Sequence, residues 1–256
     1  MQKLETITSL QNNHIKLLKK LALKKYRLEY KQFTVENLTI IIDALRAGYD
    51  FEVLFVTAEF MTRNLDKFEF LKEKSQASYY VIDEMMSSHF SQLDTPSGIT
   101  AIYKIPETQK ITDDSVVYLN SISDPGNLGT IMRTALAFNF KNIVLDENCV
   151  DVYNAKTIAA AKNSFFMLNI VEDKDGSWIA NTKLPIYVTS SHGDTDLETF
   201  KPDTKFCLVL GNESHGVSDE IFKLASRQIK IDISDDIESL NVSVAAAILF
   251  YKLHSK

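Results

Sequence analysis

Arg133 stands about two turns into DPGNLGTIMRTALAF (residues 124–138), a stretch that follows an apolar run and reads as the start of a helix. The N-terminus of a helix carries partial positive charge, so a cation nearby is mildly disfavoured and an anion is welcome. Helical spacing puts Arg133 on one side with Gly129, Thr130 and Ala137. These are all small, so the groove they floor suits a phosphate; a salt bridge to an acidic neighbour is the alternative. Pro125 and Gly126 make a turn ahead of the helix, and Asn127 is expected to cap it.

Two further loops carry chemistry-bearing residues. In GNESHG (211–216), two glycines frame Glu213, which either faces a cation or hydroxyl at a site or closes its own loop. His215 reads as a solvated loop histidine rather than a general base. Ser218 is placed to cap a following helix with Asp219 and Glu220 in its first turn. In IESLNVSVAAAILFYKL, Ser239 and Asn241 are polar exceptions at the head of an apolar stretch, positioned to cap the helix or to hydrogen-bond a ligand. The first loop lacks the third spaced glycine of a dinucleotide fingerprint and the Gly-Lys-Ser/Thr of an NTPase loop, which argues against both nucleotide classes.

The elements that must position these loops alternate. SVVYLNSI, NIVLD, LPIYVTSS, FCLVL and RQIKIDI read as strands between helical stretches, which predicts an α/β domain with a mostly parallel sheet over residues 115–256. Ligands bind such sheets at the carboxyl ends of the strands, where all three loops fall. The last helix is apolar almost all round, so it is expected to be buried on every side, as a central helix or at a subunit interface. Residues 1–105 read as a smaller α/β unit, and the polar PETQKITDD (106–114) reads as a linker.

Residues 1–32 hold eight Lys/Arg against Glu5 and Glu29, a charge of +6 that leaves −12 for the rest of the chain. In NNHIKLLKKLALKKYRLEYK, Ile15, Leu18, Leu21 and Ala22 form an oily helical stripe. Lys16, Lys20, Lys24, Arg27 and Lys31 form a basic one. Like charges four apart weaken a helix, and RNA phosphates would offset the repulsion; an ordinary solvated face is the alternative.

NLGTIMRTALAF, LVLGNESHG and IESLNVSVAAAILFY together resemble, in order and spacing, the three motifs of the SpoU/TrmH family of RNA ribose 2'-O-methyltransferases, part of the SPOUT class. The front segment is similar to that family's L30e-like RNA substrate-binding domain. The resemblance implies a deep trefoil knot in the C-terminal domain, S-adenosylmethionine as cofactor, no metal, and a homodimer through that domain. It implies functional roles for Asn127, Arg133, Glu213, Ser239 and Asn241, and backbone contacts to the cofactor from Gly211, Ile231 and Leu240. Departures from the family pattern fall at Asn37, at Ala159, Ala161 and Asn163, and at Asp232 and Asp235. The implied reaction is methylation of a ribose 2'-hydroxyl, in ribosomal RNA before transfer RNA; a non-catalytic, knotted ribosome-assembly factor is the alternative.

Composition fits a folded, soluble protein, with 45% hydrophobic and 24% charged residues. The opening residues have no apolar h-region, and no run approaches the roughly 18 apolar residues of a membrane span. Cys149 and Cys207 have no metal-ligand spacing and read as core thiols in a reducing, cytoplasmic setting.

Overall fold

The computed structural model describes residues 4–111 and 114–254. Lys3 of the basic segment and Thr112 and Asp113 of the expected linker lie outside the described residues. The chain forms two compact units, one built from residues up to Pro106 together with Tyr153–Ala159, the other from Glu107–Val152 and from Ala160 onward.

The first unit runs β1 (Leu4–Thr6), α1 (Asn13–Leu21), α2 (Lys24–Tyr30), β2 (Gln32–Val35), α3 (Leu38–Arg46), β3 (Val53–Thr57), α4 (Ala58–Arg63), α5 (Leu65–Lys74), β4 (Ser78–Ile82), α6 (Glu84–Phe90) and β5 (Ile99–Lys104). Its sheet has the order β1-β4-β3-β5-β2, with β4 parallel to β1 and β3, and β5 antiparallel to β3 and β2. Ile15, Leu18 and Leu21 of α1 are buried against Phe55, Met86 and Ile102, as the spacing of the oily stripe predicts. Asn37 caps α3, its Oδ1 accepting from the Ile40 amide at 3.1 Å.

The single basic helix expected across residues 12–31 is two helices. Leu23 adopts an extended conformation and breaks the stripe, and α2 ends on Lys31 in the left-handed region, with φ 52°. Arg27 is consequently not a surface cation. It is buried and donates to the Leu21 carbonyl at 2.7 Å, satisfying an orphan acceptor at the end of α1.

The second unit runs β6 (Val116–Leu119), α7 (Pro125–Ala137), β7 (Asn142–Asp146), α8 (Ala155–Ala161), α9 (Ser164–Met167), β8 (Asn169–Asp173), α10 (Ser177–Asn181), β9 (Ile186–Thr189), β10 (Thr195–Asp196), β11 (Cys207–Leu210), α11 (Asp219–Phe222), β12 (Arg227–Lys230) and α12 (Val242–Leu253). Of α8 only the end belongs to the second unit: Ala155–Ala159 cluster with the first, so the front unit is not one continuous segment. The seven strands pair in parallel throughout, in the order β10-β12-β9-β11-β6-β7-β8. Central β6 and β11 are buried at every residue, the near-continuous apolar pattern of a parallel strand covered on both faces. Part of the expected linker is also packed: Gln109 N–H donates to Asn169 Oδ1 at 3.0 Å, and Ile111 lies against the core.

The last helix is not buried all round. Val244, Ile248 and Tyr251, at i, i+4 and i+7, are 48%, 38% and 68% exposed, while Ala246, Leu249 and Phe250 are buried. Among the described residues no helix is long and apolar enough to cross a membrane.

Candidate active site

Because β9, β11, β12 and β6 run parallel, their carboxyl ends fall on one edge of the sheet, and the loops leaving them meet there. The loop after β11 is a tight turn. Asn212 and Gly216 exchange both backbone hydrogen bonds at 2.9 Å, and Gly216 holds φ +69°. At Gly211 an added Cβ would lie 2.3 Å from the Gly216 carbonyl carbon, so no larger residue fits. Asn212 Oδ1 accepts from the Ser214 and His215 amides, and its Nδ2 donates to the Ser121 carbonyl at 2.9 Å.

This loop presents Glu213 to the head of α7. Asp124, not Asn127, caps that helix, accepting from the Asn127 amide at 2.7 Å, and Pro125 takes the first helical position. Freed from capping, the Asn127 side chain donates to Glu213 Oε1 at 2.5 Å and accepts at Oδ1 from Asn241 Nδ2 at 3.1 Å. Asn241 itself caps α12, its Oδ1 accepting from the Ser243 amide and hydroxyl and the Val244 amide. One side-chain chain, Glu213–Asn127–Asn241, therefore ties together three loops separated by up to 114 positions in sequence.

Beside it lies a cavity of about 650 Å³. Gly211, Ile231 and Leu240 line it, and so do Glu213 and Ser239. Arg133, Asn127 and Asn241 are not part of that lining. Arg133 is exposed on α7 and makes no hydrogen bond or ion pair among the described residues, so the internal salt bridge considered for it does not form. Ser239, Asp232 and Asp235 are exposed, and α11 has only four residues, with no side-chain cap from Ser218. In the first unit Lys16, Lys20 and Lys24 are exposed as expected, and Arg27 is not.

A supporting network escaped the sequence reading. Asp146, at the carboxyl end of β7, accepts from Asn120 Nδ2 at 2.7 Å and from the Ser121 amide and hydroxyl at 3.0 Å each. Ser121 occupies φ 61°, a conformation costly for a residue other than glycine, and these bonds hold it there. Asn120 in turn accepts from the Ser218 amide at 2.7 Å, so Asp146 braces the loops after both β6 and β11. The available signal was positional: an acid closing a strand of a parallel sheet. Nearby Cys149 is a buried structural thiol, its pKa pushed up by burial and by the Asp146 carboxylate.

The cavity falls in the ~300–1,000 Å³ range of small-molecule sites. Val217, Ile229 and Leu249 offer apolar wall, while Ser190 and Glu213 offer polar ends. That mixture fits an amphipathic ligand such as a nucleoside joined to an amino acid.

The SpoU rRNA Methylase family model matches residues 114–251. The chain belongs to the SpoU rRNA methylase family. An MRM3-like substrate binding domain matches residues 12–101. The chain is 30% identical over 253 residues to the 23S rRNA (guanosine(2553)-2'-O)-methyltransferase RlmP of Bacillus subtilis (strain 168), covering 98% of this chain and 99% of that protein. It is 24% identical to the mitochondrial rRNA methyltransferase 3B of Danio rerio, over 88% of this chain and 66% of that one. A solved structure of an AdoMet-bound rRNA methyltransferase from Sinorhizobium meliloti superposes with TM-score 0.82 at 25% identity, covering 97% of each chain. Within this SpoU-family chain, the three motif loops are the three that the Glu213–Asn127–Asn241 bonds and the cavity bring together.

Proposed function

We propose that this protein methylates a ribose 2'-hydroxyl in ribosomal RNA, using S-adenosylmethionine held in the 650 Å³ cavity. The observation that carries the reading is the hydrogen-bonded junction of the three family motifs at the edge of that cavity. S-adenosylmethionine supplies, when bound, an electrophilic methyl group that an oxygen nucleophile takes by in-line displacement. The residues of this chain do the rest. Backbone at Gly211, Ile231 and Leu240, which line the cavity, would hold the cofactor, with Val217, Ile229 and Leu249 packed against its apolar parts. The amide chain through Asn127 fixes Glu213 and the start of α12 without needing to reorganise during reaction. Ser239 adds a hydroxyl at the rim.

Arg133 acts on the RNA. Guanidinium is effectively never deprotonated in proteins, so its role is to clamp a substrate phosphate and stabilise the 2'-oxygen as negative charge develops. Its exposure and its lack of a described internal partner support that role.

The protein works in the cytoplasm as a homodimer, with the chain threaded through the trefoil knot that the family likeness implies. The uncovered Val244–Ile248–Tyr251 stripe of α12 supports dimerisation through the C-terminal unit, since an apolar helical stripe left in water favours a partner surface. Sedimentation of an Ile248→Asp variant should show monomer where the parent shows dimer.

The functional test is transfer of label from methyl-labelled S-adenosylmethionine into unmodified ribosomal and transfer RNA, followed by nucleoside digestion. Label in 2'-O-methylnucleoside from ribosomal RNA, lost with Arg133→Ala, is the expected result. Transfer only to transfer RNA would correct the substrate class, and no transfer to either would overturn the enzymatic reading.

A further inference from the structure

The break between α1 and α2 removes Arg27 from the surface and puts aromatic residues where a continuous helix would have shown cations. With Arg27 buried, helical spacing sends Leu23, Tyr26 and Tyr30 to one flank of α2. Lys24, Leu28 and Lys31 take the other. The Tyr26 and Tyr30 rings are nearly parallel, 14° apart with centroids at 6.1 Å. Lys20 of α1 reaches over both, its ammonium 5.3 and 5.4 Å from the two centroids, and donates to the Tyr30 hydroxyl at 2.9 Å. Lys25 lies 5.7 Å from the Tyr26 ring. The pair is thus held in a stacked arrangement before any ligand arrives.

The surroundings indicate what it binds. Lys16, Lys19, Lys20, Lys24, Lys25 and Lys31 are all exposed against Glu29 alone on these two helices. That charge selects a polyanion. Yet Leu23 and Leu28 are 58% and 47% exposed and Tyr30 36%, apolar surface that phosphate contacts do not use. A-form duplex keeps the faces of its bases shut and offers phosphates and 2'-hydroxyls; unpaired RNA offers base faces as well. Aromatic rings interleaved with lysines match the second and are wasted on the first.

We propose that the Tyr26–Tyr30 flank of α2, with Lys20 across it, is a stacking platform for an unpaired nucleotide of the RNA substrate. This rests on the reading of RNA as substrate, and it names the form of RNA the front unit selects: a loop or single strand rather than a helix. Lysine supplies sequence-independent attraction, and the tyrosines supply the discrimination between unpaired and paired strands.

The test uses the full chain, with fluorescence anisotropy on an unpaired RNA of about a dozen nucleotides and on a blunt duplex of the same sequence. The double variant Tyr26→Ala/Tyr30→Ala should bind the unpaired strand at least roughly tenfold more weakly and the duplex less than about twofold more weakly. Tyr26→Phe/Tyr30→Phe, which keeps both rings, should restore binding to the unpaired strand. Equal weakening on both RNAs, or none on the unpaired one, would overturn the platform. S-adenosylmethionine affinity, measured by calorimetry on each variant, reports that the chain is folded, and methyl transfer to ribosomal RNA is followed in parallel. Weakening that does not depend on whether the RNA is paired, with methyl transfer intact, refutes the platform alone. Intact discrimination without methyl transfer supports the platform and refutes the enzymatic reading.

Discussion

The loops at the carboxyl edge of the parallel sheet and the surface of α1 and α2 both carry polar side chains, but they hold them in opposite ways. At the sheet edge, Glu213, Asn127, Asn241 and Asp146 each have a protein partner within 3.1 Å. On α1 and α2 the lysines stand in water, and Lys20 alone among Lys16, Lys20 and Lys24 is tied down, to Tyr30. The difference fits the tasks proposed for the two regions. Chemistry at one oxygen needs groups fixed to a fraction of an ångström, whereas attraction of a phosphate backbone tolerates mobile cations that adjust to the strand. Arg133 belongs to the first region by position and resembles the second by exposure, which fits its proposed role of holding the RNA.

The sharpest break of this contrast is at Gly211. A Cβ there would collide with backbone of Gly216 and Val217 at 2.3–2.5 Å, and backbone cannot step aside as a flexible side-chain tip can. Gly211→Ala should therefore open the 211–216 turn and abolish cofactor binding by calorimetry, while RNA binding by the front unit persists. Detectable S-adenosylmethionine binding within tenfold of the parent would refute the role of this turn. Next in size is Arg133→Ala, expected to lower kcat by roughly 10² to 10³, the scale for removing one well-aimed donor from a developing oxyanion, with cofactor affinity unchanged. A fall in affinity equal to the fall in rate would instead make Arg133 a structural residue.

Asp146→Ala probes the brace rather than the site. It leaves Asn120 Nδ2 and the Ser121 amide without their carboxylate and removes what holds Ser121 at φ 61°. The expected cost is about 1–3 kcal/mol of stability for donors left unsatisfied, together with weaker cofactor binding as the loops after β6 and β11 lose their common anchor. Asp146→Asn, which keeps one acceptor oxygen, should recover much of the affinity. If calorimetry finds cofactor affinity unaltered in the alanine variant while the melting temperature falls, Asp146 serves the fold and not the site.

Much of this architecture was legible in the chain because it depends on period and punctuation. The alternation of apolar runs and helical stretches foretold the parallel sheet, and the spacing of Ile15, Leu18 and Leu21 foretold the buried face of α1. What escaped has physical causes. The turn at Leu23 contains neither glycine nor proline, so nothing local announced that the helix would break there and carry Arg27 inward. Asn127 and Asp124, three residues apart, offer the same capping chemistry, and only the fold decides which of the two does it. Asp146 meets Ser121 from 25 positions away, a distance at which pattern is silent. In α12 an all-apolar sequence conceals which face is left uncovered, and the exposed Val244, Ile248 and Tyr251 emerge only once α7 is packed beside it.

The smallest effects on methyl transfer come from the pair Arg27 and Lys24, and they sharpen the comparison because the sequence makes the two look alike. Lys24 is exposed, so Lys24→Gln should leave the melting temperature unchanged and weaken RNA binding, reducing the slope of log affinity against log salt by about 0.7 for a single strand. Arg27 spends its charge on the Leu21 carbonyl inside the fold. Arg27→Met should lower unfolding stability by roughly 1.5–3 kcal/mol, the range for a hydrogen bond to a charged group, and leave the salt slope where it was. A salt slope that falls equally in both variants would return Arg27 to the RNA-binding surface and undo the distinction drawn between a cation that builds the front unit and one that meets the substrate.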